Sequence, residues 1–163
     1  MNIRNAVEAD LAAIIAIYNA AIPCRIVTAD VEPVTVESRL SWFRSHDLDK
    51  RPLWVVEIDE AVVGWVGFQS FYGRPAYDTT AELSVYVSPD YQRRGIGQLL
   101  LQRAIAHSPS LDIKTLLGFI FAENLPSLQL FEKFGFQRWG YLPGVAQFEN
   151  DGRDLVIVGL RLG

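Results

Sequence analysis

Ala81-Glu-Leu-Ser-Val-Tyr-Val-Ser88 alternates apolar and polar residues as a half-buried strand does, and Pro89-Asp-Tyr-Gln-Arg-Arg-Gly-Ile-Gly97 turns it into a new element. That element, Gly97-Gln-Leu-Leu-Leu-Gln-Arg-Ala-Ile-Ala-His107, carries its apolar residues at helical spacing. The stretch therefore reads as strand, tight turn and helix. Two glycines free the backbone to turn, and the first N–H groups of the helix have no intrahelical acceptor. A helix N-terminus carries about half a positive charge. Arg93 and Arg94 add two permanent cations on the same turn, which makes an anion site suited to a pyrophosphate.

Working outward, Ile3 to Val7 reads as a short strand and Glu8-Ala-Asp10 as the cap of a helix from Leu11 to Ala21. Leu11, Ile14, Ile15 and Tyr18 form its apolar face, and Pro23 ends it. Residues 22–34 read as a loop, and Thr35 caps a second helix from Val36 to Ser45. Leu53 to Ile58 and Ala61 to Phe68 are strands joined by a tight turn at Asp59-Glu60. After the strand–turn–helix unit come a buried strand, Thr115 to Phe121, and a short helix, Pro126 to Phe134. Phe136 to Leu142 and Leu155 to Leu160 close the sheet across a turn at Asn150-Asp-Gly152. Three consecutive strands before the first crossover exclude a Rossmann unit and imply an α/β mixed sheet with an antiparallel half.

The chain has 163 residues, half of them apolar, and reads as a single domain, 1–163. A formal net charge of −4 argues against nucleic acid as a partner, so a local arginine pair reads as a site and not as part of a basic surface. One cysteine, Cys24, excludes an internal disulfide and a multi-cysteine zinc cluster. The N-terminus shows neither a signal-peptide core nor a membrane span, which sets a cytoplasmic location as the expectation.

Gly95-x-Gly97 alone does not name the phosphate. A dinucleotide fingerprint has Gly or Ala where this chain has Leu100, and the Gly-Lys-Ser/Thr of a Walker A loop is absent. However, Gln92-x-x-Gly95-x-Gly97 is followed by Asn124-x-x-Ser127-x-x-x-Phe131-Glu-Lys-Phe-Gly135-Phe136. This pair of motifs, in this order, resembles the GNAT superfamily of acyl-CoA N-acyltransferases over nearly the whole chain. The resemblance implies a mixed, mostly antiparallel sheet of about seven strands flanked by about four helices, splayed between 81–88 and 115–121. It implies acetyl-CoA as co-substrate, its pyrophosphate held by Gln92, Arg93, Arg94, Gly95, Ile96, Gly97 and Gln98. Main-chain groups of Val85, Tyr86 and Val87 would pair with the pantetheine arm, and Asn124 and Ser127 would face it. Lys133 either reaches the outer phosphate or is a solvated helix lysine.

Thr28-Ala-Asp-Val-Glu-Pro33, Gly73-Arg-Pro-Ala-Tyr77, Glu82-x-Ser-Val-Tyr-Val87 and Gly140-Tyr-Leu-Pro-Gly-Val145 narrow the resemblance, as does Asp151-Gly-Arg-Asp154. Together they are similar to the phosphinothricin and methionine sulfone/sulfoximine N-acetyltransferase branch. That branch implies a homodimer that acetylates the α-amine of a small amino-acid-like acceptor. The chain departs from it at Phe148-Glu149-Asn150, where some members carry a His, and at Phe131, where the superfamily has Tyr and this branch often His. Phe131 cannot protonate a leaving thiolate. A thiol of pKa about 8.5 is a tolerable leaving group without help.

Direct transfer needs a neutral amine, and an α-amine of pKa about 8 needs only about 1.4 kcal/mol to lose its proton at pH 7. A carboxylate acting through water suffices, and Glu82 is the candidate, sharing a strand face with Ser84 and Tyr86. The alternative for Glu82 is an ion pair with a nearby arginine. For the acceptor's carboxylate Arg74 ranks ahead of Arg25 and Arg39, the alternative being a solvated loop arginine. Tyr77 bonds the acceptor's tail or packs in the core. Trp42, Trp54, Trp65 and Trp139 read as core or dimer surface, Cys24 as a small buried filler, and His46 and His107 carry no role. Two rival functions remain open: acetylation of a protein N-terminus or polyamine, and a non-catalytic acyl-CoA-binding module.

Overall fold

The computed structural model describes all 163 residues. Seven strands form one sheet in the order β1-β2-β3-β4-β5-β7-β6. In chain order the elements are β1 (Asn2–Asn5), α1 (Leu11–Ala20), α2 (Val36–Arg44), β2 (Leu53–Ile58), β3 (Ala61–Ser70), β4 (Thr80–Val87), α3 (Ile96–His107), β5 (Thr115–Phe121), α4 (Leu125–Lys133), β6 (Gln137–Phe148) and β7 (Asp151–Arg161). Every neighbouring pair is antiparallel except β4 and β5, which α3 joins as a crossover and which run parallel. The α/β mixed sheet expected from the sequence is the observed fold. No helix is long and apolar enough to cross a membrane.

The central strands β2 and β3 bury both faces because helices lie on both sides, whereas the edge strand β6 stays largely exposed. On one side Ile96, Leu100, Leu101 and Ala104 of α3 and Leu128 and Phe131 of α4 pack on Val66, Phe68, Leu83 and Leu116, within a core of 19 buried residues. On the other, Ile14 and Ile17 of α1 pack on Leu53, Val55 and Trp65 in a smaller core of 5. Thr35 caps α2 as the sequence implies, its hydroxyl accepting the Ser38 N–H at 3.1 Å. Glu8 to Asp10 form a 3-10 turn leading into α1, and the Asp10 carboxylate accepts the Val7 N–H at 2.8 Å and pairs with Arg4 at 2.7 Å. That pairing holds the Asp10 carboxyl below the usual carboxylate range.

Three expectations change. The last hairpin turns at Glu149-Asn150, not Asn150-Gly152, because Phe148 pairs with Asp151 and is buried edge-on against Phe121, with centroids 5.9 Å apart. Strand β6 runs on to Phe148 instead of stopping at Leu142. Pro143 sits in an irregular stretch where the Asp154 carboxylate accepts the Gly144 N–H at 2.6 Å and the Tyr141 hydroxyl, in place of ladder bonds. Cys24 is exposed, not a buried filler, since the 3-10 turn Ile22–Cys24 buries Ile22 and leaves the thiol at the surface, directed to the Ala21 carbonyl.

Leu100 is fully buried where α3 crosses the sheet. Leu100→Ala is expected to lower stability by about 2–5 kcal/mol in urea unfolding, with an unchanged denaturant slope.

Candidate active site

The pairing of β4 with β5 lasts only three residues, Thr80↔Thr115 to Glu82↔Leu117. Beyond it β4 stays paired with β3 as far as Val87, and β5 with β7 as far as Phe121. The sheet therefore splits into a wedge, and alternate N–H and C=O groups of β4 from Leu83 to Val87 face the gap unpaired. A narrow cavity of about 60 Å³ lies in the wedge. Glu82, Ser84 and Tyr86 line one wall, Phe119 and Phe131 the other, with Asn124 and Ser127 at its side and Val27 over it. The Asn124 carbonyl oxygen accepts the Ser127 N–H at 3.3 Å as the cap of α4, which leaves the Asn124 amide N–H₂ free to donate.

The turn after β4 fits a phosphate on its own geometry. The earliest backbone bond of α3 runs from the Leu99 N–H to the Gly95 carbonyl at 3.0 Å. The N–H groups of Ile96, Gly97 and Gln98 therefore have no acceptor in the chain. Arg93 and Gly95 both adopt left-handed φ, 64° and 78°, which curls the preceding amides toward the same point. The two glycines do different jobs. A Cβ on Gly95 would meet nothing, so only its φ requires glycine, whereas Gly97 lets Leu130 of α4 approach to 3.3 Å of where a Cβ would stand. Arg93, Arg94 and Gln92 are exposed, with the Arg94 guanidinium 4.9 Å over the Tyr91 ring. Lys133 donates to Gln98 Oε1 at 3.1 Å, which sets its charge at the rim of this turn.

A second cavity, about 170 Å³, lies on the α1/α2 side of the sheet. Its floor is made of Trp65 and Gln69 of β3 and Ser84 and Tyr86 of β4, with Trp65 paired to Tyr86 in register. Tyr86 stacks on Trp65 at 4.8 Å and 21°, and Trp42 meets Trp65 edge-on at 5.6 Å. Ile14 and Tyr18 of α1 and Arg39 of α2 complete the lining. Asp30 joins the wall together, accepting from Arg39 at 2.8 Å and from the Tyr18 hydroxyl, which also meets Thr28 Oγ1 at 2.5 Å. The Trp65 indole N–H is buried without a partner.

Glu82 makes no ion pair with any arginine. Burial alone pushes its carboxyl above the usual glutamate range, so it exchanges a proton at a higher pH than a surface carboxylate. Burial also pushes the Tyr86 phenol up, which keeps it protonated. Phe131, 3% exposed, packs edge-on against Phe136 and brings no hydroxyl to the wedge. Arg74 and Tyr77 line neither cavity; Arg74 is exposed, and Tyr77 sits in an outer aromatic cluster with Phe71 and Tyr72. Arg25 is turned away from both, its guanidinium donating to the Val31 carbonyl at 2.8 Å and lying over the Phe148 ring. Trp42 and Trp65, read from sequence as core or dimer surface, form the aromatic cavity. Gln69 and Ser84 join them through the β3–β4 register, which is set across the 71–79 loop and is not legible in a local pattern.

The Acetyltransferase (GNAT) family matches residues 14–136. Over 163 residues the chain is 48% identical to YwnH of Bacillus subtilis (strain 168), covering 99% of each, a protein whose name assigns it provisionally to the phosphinothricin acetyltransferases. It is 31% identical to the L-methionine sulfoximine/L-methionine sulfone acetyltransferase of Salmonella typhimurium (strain LT2), covering 99% of this chain and 95% of that one. The solved structure of yncA from Salmonella typhimurium with its cofactor acetyl-CoA superposes with a TM-score of 0.93 at 31% identity, covering 100% of this chain and 94% of that chain.

Glu82→Gln is expected to lower kcat by roughly ten- to a hundredfold with the fold intact. Because the folded carboxyl is raised, ionising Glu82 destabilises the fold as pH rises through its folded pKa. The Gln variant should therefore melt no lower than the parent at neutral pH, and the parent's kcat/KM should show an acid limb above the usual glutamate range.

Proposed function

The chain belongs to the acetyltransferase (GNAT) family, and we propose that it transfers the acetyl group of acetyl-CoA directly to the α-amine of a small amino-acid-like acceptor of the phosphinothricin or methionine sulfone/sulfoximine type. Acetyl-CoA is the co-substrate of the family. The observation that carries the finer reading is the adjacency of the wedge and the aromatic cavity, which share the Ser84 and Tyr86 face of β4. One cavity suits the thioester end of a slender arm. The other suits a compact acceptor body.

In this reading the amides of Ile96 to Gln98, with Arg93, Arg94 and the Gln92 side chain, hold the pyrophosphate. Lys133 reaches a phosphate from the end of α4. Main-chain groups of Val85, Tyr86 and Val87 pair with the pantetheine arm as an added strand would, and Asn124 and Ser127 bond it from the far wall. Glu82 takes the amine's proton, directly or through one water. The guanidinium of Arg39 is already neutralised by Asp30. Arg74 lines neither cavity, but it is exposed and forms no ion pair, and we keep it as the proposed cation for the acceptor's carboxylate, with Tyr77 beside it. A cytoplasmic location accords with the exposed, unpaired Cys24. A homodimer accords with Trp139, Tyr141, Leu142 and Val145, large apolar side chains exposed along the edge strand β6.

Thiol release from acetyl-CoA, measured with methionine sulfone, phosphinothricin and spermidine, tests the acceptor class. Turnover with one of the amino-acid-like amines is expected, and turnover with spermidine alone would sink the reading. Arg74→Ala should raise the acceptor KM about tenfold or more, while the acetyl-CoA KM stays near its parent value.

A further inference from the structure

Ser84 lies at the junction of the two cavities and lines both. It stands between Glu82 and Tyr86 on one face of β4, opposite Gly67 of β3, which has no side chain to cover it. Its hydroxyl has no hydrogen-bond partner in the chain. Glu82 is two residues away on the same face, about 7 Å along the strand, a span that a glutamate side chain can close. The wedge offers few other proton donors near this point. Phe131 has none, the Tyr86 phenol is engaged with Thr28, and Ser127 lies with Asn124 beside the arm.

We propose that Ser84 relays the amine's proton from Glu82 to the departing sulfur, in place of a dedicated acid at position 131. The proposal rests on the acetyl-transfer reading above. As the amine nitrogen bonds to the thioester carbonyl carbon, the C–S bond breaks and its electron pair leaves on sulfur. The proton shed by nitrogen passes to the Glu82 carboxylate. Protonated Glu82 then donates to Ser84 Oγ while the Ser84 hydroxyl donates to sulfur. Glu82 ends ionised, Ser84 ends as a hydroxyl, and CoA leaves as a neutral thiol. Serine alone would be a poor acid because its alkoxide is too basic, so the relay works only with Glu82 behind it. The burial that raises the Glu82 carboxyl suits it to hold the proton for that interval.

The test compares Ser84→Ala, Ser84→Thr and the Glu82→Gln/Ser84→Ala pair on an amine that the parent protein acetylates. Ser84→Ala should lower kcat about tenfold or more, with its calorimetric acetyl-CoA dissociation constant within about twofold of the parent. Ser84→Thr, which keeps the hydroxyl, should hold kcat within about threefold. In the double variant the second substitution should add little to the first, because the two residues act on one proton. A Ser84→Ala kcat within about twofold of the parent would overturn the relay, and so would a Thr variant as slow as the Ala variant. Full additivity in the double variant, or a loss carried by acetyl-CoA affinity, would overturn it as well. If the parent protein acetylates no amine of the panel, the acetyl-transfer reading falls and takes the relay with it.

Discussion

The loss of pairing between β4 and β5 after Glu82↔Leu117 is the constraint on which the site depends. Both strands remain fully committed to their other neighbours, so the sheet is two half-sheets hinged at three residue pairs. Leaving backbone N–H and C=O groups unpaired costs free energy wherever water cannot reach them. The open edge is tolerated because it faces a groove that solvent or an extended ligand can fill. Helices pack beneath the strands on either side of the split. Phe131 and Leu128 of α4 fill the space under β5, and Ile96 and Leu100 of α3 sit close under Gly64 of β3. Gly97 lets Leu130 of α4 approach the start of α3, which fixes the turn after β4 against α4.

Much of this was legible in the residues. Alternation over 81–88, the Asp59-Glu60 turn and the helical spacing after Gly97 gave the order of elements, because each is a local pattern set by backbone sterics and burial. Asp59 and Glu60 both adopt left-handed φ, 50° and 67°, which is what a two-residue hairpin turn requires. The tight turn after β4 was legible for the same reason. Strand β6 was cut short because Pro143-Gly144 reads locally as a break, whereas a carboxylate ten residues away, Asp154, supplies the missing bond. The aromatic cavity was not legible. Trp65, Gly67 and Gln69 meet Tyr86, Ser84 and Glu82 only through a register set across a long loop, and Arg39 reaches the cavity through α2. Non-local pairing of this kind leaves no periodic trace in either partner.

The charge on Glu82 follows from the same geometry. A carboxylate among so many apolar neighbours would ordinarily have an arginine or lysine to offset its desolvation. Here it has neither, and the carboxyl is raised as a result. An ion pair would have stabilised the fold and lowered the basicity of the group. The protein keeps its arginine–carboxylate pairs elsewhere: Arg4 with Asp10 and Glu57, Arg39 with Asp30, Arg44 with Glu8, Arg138 with Glu132 and Arg153 with Asp151. The raised carboxyl on β4 thus stands two residues from Ser84, which lines both cavities.

The two faces of the sheet divide the labour unequally, and the division follows core size. The α3/α4 face carries the large core, and the phosphate turn and the wall with Asn124 and Ser127 are anchored on it. Dense packing of this kind is bistable rather than deformable, so a change there would disturb the whole groove. The α1/α2 face rests on a small core, with no residue of α2 fully buried, and its cavity is closed by side chains and one polar network through Asp30. Substitutions at positions such as Gln69 or Trp42 alter the shape and polarity of that cavity without touching the packing that holds the turn. In the proposed reading, a fixed donor site beside a lightly anchored acceptor site is the arrangement in which acceptor preference can change while the chemistry proposed for β4 stays the same.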